Sequence, residues 1–273
     1  MKTTIGALKS TCDRKTKFHD TQRNTFGLLP GLEGSCPGAT TAPGGCWHIP
    51  EGRKLPECYV ARTMSAYKAV RGVLEHNTRL LAAARLWEKI ELLDDEFARF
   101  RAAELRREQA GHAKKMTYRL HWSGDIFDDE YAKALASAIQ LNSDINFWCY
   151  TRTFSAVPAL CNIPNLILYL SLDPVNVQQG LSVFADNKNN QNNLQICYMS
   201  TENNFDTHLE RAAQILTIRN NDHEPPGLGW VTDKWPLRAC PVDIGKMKLE
   251  GGCAKCKQCI SIGREPTPVW FKA

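Results

Sequence analysis

TYRLHWSGDIFDDEYAKALASAIQLNSDINFWCY, residues Thr117 to Tyr150, decides the fold class. Thr117-Tyr-Arg-Leu-His-Trp122 is strand-like, with Tyr118, Leu120 and Trp122 alternating with polar residues. Ser123-Gly-Asp-Ile-Phe127 reads as a turn. Asp128 then caps a helix over Asp129 to Ile139, with Ala and Leu at helical spacing. A second strand follows from Ile145 to Tyr150. Strand, turn, capped helix, strand is the repeating unit of a parallel sheet.

The pattern continues downstream. A short polar helix or turn is expected near Ser155 to Leu160, and a strand from Leu166 to Leu172. A helix or loop covers Val175 to Ala185. Beyond the polar tract Asp186 to Asn193, which reads as a surface loop, come a strand, Leu194 to Met199, and a helix, Phe205 to Leu216. Upstream, Met64 to Gln109 is helical by period, with breaks expected at Asn77-Thr78 and Leu93-Asp94-Asp95. Residues 25–30 have the character of a strand, and residues 1–24 that of a tail or edge extension. Strands alternating with helices at this interval imply a parallel sheet with right-handed crossovers.

The 273 residues suffice for one large α/β domain with a full core, or for two small ones. Apolar residues make up 43% and charged residues 23%, an ordinary globular balance. The formal charge of +5 permits nucleic acid as a partner without demanding it. No apolar run of about eighteen residues exists, and the N-terminus lacks the apolar core of a signal peptide. The expectation is a cytoplasmic protein with no membrane partner.

In parallel α/β folds chemistry collects where strands end. Those exits carry His121, Ser123, Gly124 and Asp125, then Thr151 and Arg152, then Ser171 and Asp173, then Ser200, Thr201 and Glu202. Asp173 and Thr201 also read as helix caps, and Asp125 as a turn residue. Four polar exits in succession suggest a lined pocket.

The eleven cysteines are the other signal. In a chain without a secretory leader they point to metal or redox use rather than to disulfides. Cys36, Cys46 and Cys58 lie in a Gly-, Pro- and Thr-rich loop, separated by nine and eleven residues. With His48 they would make a Cys₃His zinc set. As three thiolates alone they would leave one iron of a [4Fe-4S] cluster open. Cys240, Cys253, Cys256 and Cys259 form a tighter knuckle fit for zinc or a second cluster, with lysines beside it that favour thiolates. Cys12, Cys149, Cys161 and Cys197 read as small hydrophobes.

The order of these parts resembles the radical S-adenosylmethionine (radical SAM) enzymes. A cysteine loop ends in Cys58-Tyr59, and a later strand ends in Ser123-Gly124-Asp125 where that family has a Gly-Gly-Glu-Pro-like turn. A third strand ends in Thr151-Arg152, where the family usually has Thr-Asn. The family loop, however, has gaps of three and two residues. The layout from about residue 26 to 260 is also similar to a family of phage and plasmid proteins with a Cys-Pro…Cys…Cys-Tyr loop, a Ser-Gly-Asp turn and a C-terminal cysteine knuckle.

The resemblance implies an α/β fold, a partial (β/α) TIM-like barrel over residues 25–218. Residues 219–273 are then a connector and a small cysteine-rich extension. It implies a [4Fe-4S] cluster on Cys36, Cys46 and Cys58, with a second cluster or zinc on Cys240, Cys253, Cys256 and Cys259. S-adenosylmethionine would be held by Ser123, Gly124, Asp125, Arg152, Asp173 and Glu202, with Asp125 and Arg152 closest to the chemistry. Arg152 would take the methionine carboxylate or a substrate phosphate. An electron donor and a substrate, nucleotide or nucleic acid among the options, complete the set. The principal rival is a zinc-stabilised nucleic-acid-binding protein, with Lys246, Lys248, Lys255, Lys257 and Arg264 as its basic surface. A metal-dependent hydrolase using His121, Asp125, Asp128 and Asp129 is a third reading.

Overall fold

The structure is a computed structural model that describes residues 6–12, 19, 22–188, 193–200, 238–239 and 269–272, with the backbone alone for residue 200 and the last two segments. A mixed α/β fold is built on one sheet. Its strands are β1 (Ser10–Thr11), β2 (Thr25–Phe26), β3 (Thr117–Leu120), β4 (Asn146–Thr151), β5 (Leu166–Leu172), β6 (Leu194–Ser200), β7 (Arg238–Ala239) and β8 (Val269–Lys272). They lie in the order β1-β2-β3-β4-β5-β6-β8-β7. All pairs are parallel except β1 with β2, where Ser10 faces Phe26. Among the described residues no pairing joins β7 back to β1, so the sheet is largely parallel and open there. Strands β7 and β8 fall in the segment expected as a separate extension, and both join this sheet.

The helices are α1 (Tyr59–Ala66), α2 (Lys68–Ala83), α3 (Leu86–Gln109), α4 (Asp129–Leu141), α5 (Val157–Leu160) and α6 (Val177–Asn187). Asp128 caps α4 as expected, accepting from the Tyr131 amide at 2.6 Å. The long helical stretch breaks elsewhere than expected, at Tyr67 and at Ala84–Arg85. Asn77 is buried inside α2, where its amide bonds the carbonyls of Lys9 and Gly27, both at 3.0 Å. Asp94 lies within α3 and accepts from Asn142 at 2.7 Å. Both residues serve tertiary contacts, so neither is free to end a helix. The expected strand over residues 25–30 is only the pair Thr25–Phe26, because the chain leaves the sheet at Gly27 to begin the cysteine loop.

One face of the sheet meets the helices. Tyr118, Phe147, Leu168 and Leu170 pack there with Phe97 and Phe100 of α3, Tyr131 and Leu135 of α4, and Leu181 and Phe184 of α6. Phe97 meets Tyr118 and Phe147 with ring centroids 5.2 and 4.6 Å apart. On the other face Trp148, Ile167, Tyr169, Gln195 and Cys197 are also buried. Arg119 lies there over the rings of Trp148 and Tyr150, at 5.1 and 5.7 Å. Burial on both faces explains why β5 reads as the nearly unbroken apolar run LILYLSL. Among the described residues, no helix is long and apolar enough to cross a membrane.

Candidate functional site

The loop from Gly27 to Cys58 folds over the C-terminal ends of β3, β4 and β5, held by the residues at those strand exits. At the β3 exit the Leu28 amide donates to the Ser123 carbonyl, and Ser123 Oγ returns a bond to the Leu28 carbonyl, each at 2.8 Å. Gly124 follows with φ +79; a Cβ there would stand 2.3 Å from Ser35 Oγ and 2.6 Å from Leu28 Cβ. Only glycine permits both that backbone and that approach. The Asp125 amide then donates to Ser35 Oγ at 3.2 Å. Tyr59, next to Cys58, donates its hydroxyl to the Trp122 carbonyl, so both ends of the loop are tied to the Ser-Gly-Asp turn.

Asp125 is buried, and the chain's own donors already occupy it. Its Oδ1 accepts from Thr151 Oγ1 and the Ile126 amide, and its Oδ2 from the Arg152 amide, all at 2.7 Å. Burial pushes its carboxyl up from the ordinary range, opposed by these bonds and by the charge of Arg152. The carboxylate therefore locks the β3 exit to the β4 exit.

Asp173, fully buried at the β5 exit, plays the same part for the loop. Its Oδ2 accepts from Thr40 Oγ1 at 2.6 Å, from the Cys46 amide at 3.2 Å and from Arg152 Nη1. Its Oδ1 takes the amides of Val175 and Asn176 at 2.9 and 3.1 Å. The cap expected of Asp173 exists as this tight turn. The link to Cys46 across 127 positions is new, and its partner Thr40 was hidden among the small residues of the loop. Gly38 closes the contact, since a Cβ on it would lie 2.1 Å from the Arg152 carbonyl oxygen.

Cys36, Cys46 and Cys58 are free and half-buried. Burial pushes the Cys36 thiol well above the ordinary range, reinforced by the charge of Asp125 and, more weakly, by Cys58 and Cys46. Burial also raises Cys58, with Cys46 adding to the rise and the Ala61 and Val60 amides and Arg152 opposing it. Burial acts to lower the Arg152 guanidinium, but Cys46 and Asp173 outweigh it and the group is raised. Arg152 thus lies near enough to Cys46 and Cys58 for their charges to interact. Among the described residues, no three His, Cys, Asp or Glu side chains close on a point as ligands of a single metal ion. As donors, three soft sulfurs on a loop pinned to the strand ends fit a thiolate-held iron–sulfur group. His48 Nδ1 donates to the Thr41 carbonyl at 3.2 Å.

His121 is buried at φ +57, with Nε2 on the Tyr131 hydroxyl at 2.7 Å. That bond, like the cap made by Asp128, gives structural work to residues of the hydrolase set. Glu202, Cys240, Cys253, Cys256 and Cys259 lie outside the described residues. Beside the cysteine loop a cavity of about 480 Å³ is lined by Gly38, Thr40, Phe127, Arg152, Thr153 and Phe154, among others.

The profile of the Gene product 88 family matches residues 3–262, a span that takes in the cysteine loop, the Ser-Gly-Asp turn and the C-terminal cysteines. The chain belongs to the Gene product 88 family. It is 34% identical over 240 residues to the Gene 88 protein of Mycobacterium phage L5, covering 87% of this chain and 83% of that relative. It is 34% identical over 196 residues to the Gene 88 protein of Mycobacterium phage D29, covering 71% and 70%. No solved structure matches. For this Gene product 88 chain, the phage association anticipated from the cysteine loop, the turn and the knuckle therefore stands on two relatives.

Proposed function

We propose that this chain is a radical SAM-like iron–sulfur enzyme on a partial (β/α) barrel. The observation that carries the reading is the placement of the loop bearing Cys36, Cys46 and Cys58 over the ends of parallel strands, tied to the Ser123-Gly124-Asp125 turn through Leu28, Ser35 and Tyr59. A [4Fe-4S] cluster held by these thiolates supplies, when bound, the electron that cleaves S-adenosylmethionine to methionine and a 5′-deoxyadenosyl radical.

The chain's own residues have separable tasks in this reading. The thiols of Cys36 and Cys58, raised by burial, must shed their protons to ligate metal, and Arg152 is the cation that favours the ionised form of Cys58. Asp173 and Thr40 fix the loop at Cys46, and Asp125 fixes the turn beside Cys36. These two carboxylates act as positioning residues, since the chain's own amides and hydroxyls fill their bonding positions. Gly124 lets the turn close against Leu28 and Ser35 of the cysteine loop. Cys240, Cys253, Cys256 and Cys259 would hold a second cluster or zinc.

Anaerobic purification with iron, sulfide and zinc analysis tests the reading, on wild type and on a Cys36→Ala/Cys46→Ala/Cys58→Ala variant. The expected result is about four irons per chain lost in the variant, with a wild-type spectrum that S-adenosylmethionine perturbs. Zinc without iron in the wild type would remove the reading and leave the zinc-stabilised nucleic-acid binder in its place.

A further inference from the structure

The end of the cysteine loop runs into α1 through a stretch of unbalanced charge. From Glu51 to Gly72 there are five basic residues, Arg53, Lys54, Arg62, Lys68 and Arg71, against two acids, Glu51 and Glu57. That excess is more than half of the chain's formal +5. All five cations are exposed. Arg71 pairs with Glu75 at 2.7 Å, and Arg53 stands 3.6 Å from Glu57. Lys54, Arg62 and Lys68 meet no carboxylate among the described residues. Arg62 reaches only the Glu57 carbonyl, at 3.5 Å.

Three of these cations share one place. A cavity of about 370 Å³ is lined by Arg53, Lys54, Leu55, Pro56 and Arg62, a wall that holds no acid. Like charges gathered around a concavity repel one another, and a bound polyanion relieves that repulsion.

Tyrosines stand at both ends of α1. Val60 and Ala61 turn one side of the helix to the body, so Tyr59, Arg62 and Ala66 lie at helical spacing along the exposed side. Tyr59 is 54% exposed although its hydroxyl is fixed on the Trp122 carbonyl, which holds the ring in place in solvent. Tyr67, 64% exposed, is the corner between α1 and α2, and its side chain caps neither helix. The two residues lie roughly 12 Å apart along the helix axis, at about 1.5 Å per residue. Exposed rings separated by cations suit single-stranded nucleic acid, whose bases stack while its phosphates are neutralised. A duplex keeps its base faces to itself and would leave the rings unused.

We propose that Arg53, Lys54 and Arg62, with Tyr59 and Tyr67, form a binding surface for single-stranded nucleic acid, its phosphates at the basic cavity and its bases on the two rings. This does not rest on the iron–sulfur reading: iron content decides that one, and oligonucleotide binding decides this one. It also differs from the basic surface expected beside the C-terminal cysteines, which belongs to another segment of the chain.

Fluorescence anisotropy of the full chain with a labelled oligothymidylate of about twelve nucleotides tests the proposal, beside a duplex of the same length. The single strand is expected to bind more tightly than the duplex, with an affinity that falls as salt rises. Tyr67→Ala should weaken the single strand at least about fivefold and leave the weaker duplex binding unchanged. Lys54→Gln/Arg62→Gln should weaken it too, and flatten the slope of log affinity against log salt by about 1.4 for two lost phosphate contacts. These positions are exposed, so circular dichroism should stay at the wild-type signal. No binding of the single strand, or Tyr67→Ala binding it as tightly as wild type, would overturn the proposal. So would poly-glutamate displacing the label as effectively as unlabelled oligonucleotide, which would assign the surface to an acidic protein. Binding lost in Lys255→Gln/Lys257→Gln but intact in Lys54→Gln/Arg62→Gln would overturn it as well, by assigning the nucleic acid to the C-terminal segment.

Discussion

His121 shows what a single residue at the β3 exit contributes. Its backbone is left-handed, its ring meets the Phe26 ring edge-on at 5.1 Å, and its Nδ1 has no partner among the described residues. Burial, helped by the nearby charge of Arg119, lowers its pKa from 6.5 to about 3. The imidazole is therefore neutral in the folded chain at every physiological pH. Unfolded, it takes a proton below 6.5, so acidification favours the unfolded state and stability falls as pH drops from 6.5 toward 3. The full loss is on the order of 5 kcal/mol. Asp125 and Glu96, whose carboxyls burial raises, act in the opposite sense over the carboxylate range. His121→Asn keeps a side chain that accepts left-handed backbone but cannot be protonated. Urea midpoints across this window should fall less steeply with acid in the variant, although its stability near pH 7 is lower for want of the ring. Parallel slopes in the two proteins would show that His121 does not carry the acid sensitivity.

Among elements, the strands and the loop differ in how far they could be read ahead. Strands near 146, 166 and 194 were legible because most of their residues are buried and apolar, and the strand near 117 because polar and apolar residues alternate along it. Helix α4 was legible because Asp128 caps it locally. The breaks in the stretch from Tyr59 to Gln109 were not, since Asn77 and Asp94 look like punctuation until their tertiary partners are known. The cysteine loop was legible as chemistry but not as geometry. Nothing in its spacing tells that Thr40 and Cys46 meet Asp173, a contact made by folding alone. Glycines carry part of that geometry. Gly38→Ala sets a Cβ against the Arg152 carbonyl, a backbone atom that cannot turn aside, and should cost ~2 kcal/mol or more. The loop would lift first, so Cys46 should react faster with a disulfide reagent than in wild type. Gly72→Ala is the control: within α2, with nothing within 4 Å of the added methyl, it should stabilise by ~0.5–1 kcal/mol. Equal thiol reactivity in Gly38→Ala and Gly72→Ala would mean that the close approach does not hold the loop.

At the scale of the molecule, the core and the candidate site are built from different residues. The apolar cluster joins β2 through β6 to α3, α4, α5 and α6, and it contains Cys149 and Cys161 but none of Cys36, Cys46 and Cys58. The loop bearing those three is fastened by Ser35, Thr40, Tyr59, Asp125 and Asp173 through bonds that need no metal. A protein whose fold depended on a structural zinc at these thiols would show the reverse, with the metal standing in for a missing core. The Cys36→Ala/Cys46→Ala/Cys58→Ala variant should therefore keep the wild-type far-ultraviolet circular dichroism and one cooperative melt. Removing three half-buried thiols outside the core should lower the midpoint by no more than about 10 °C. Its loop should still resist proteolysis while the Asp173 and Tyr59 contacts remain. Loss of the cooperative melt would assign the three cysteines to folding, whereas a folded variant that has lost its iron leaves them free for chemistry at the strand ends.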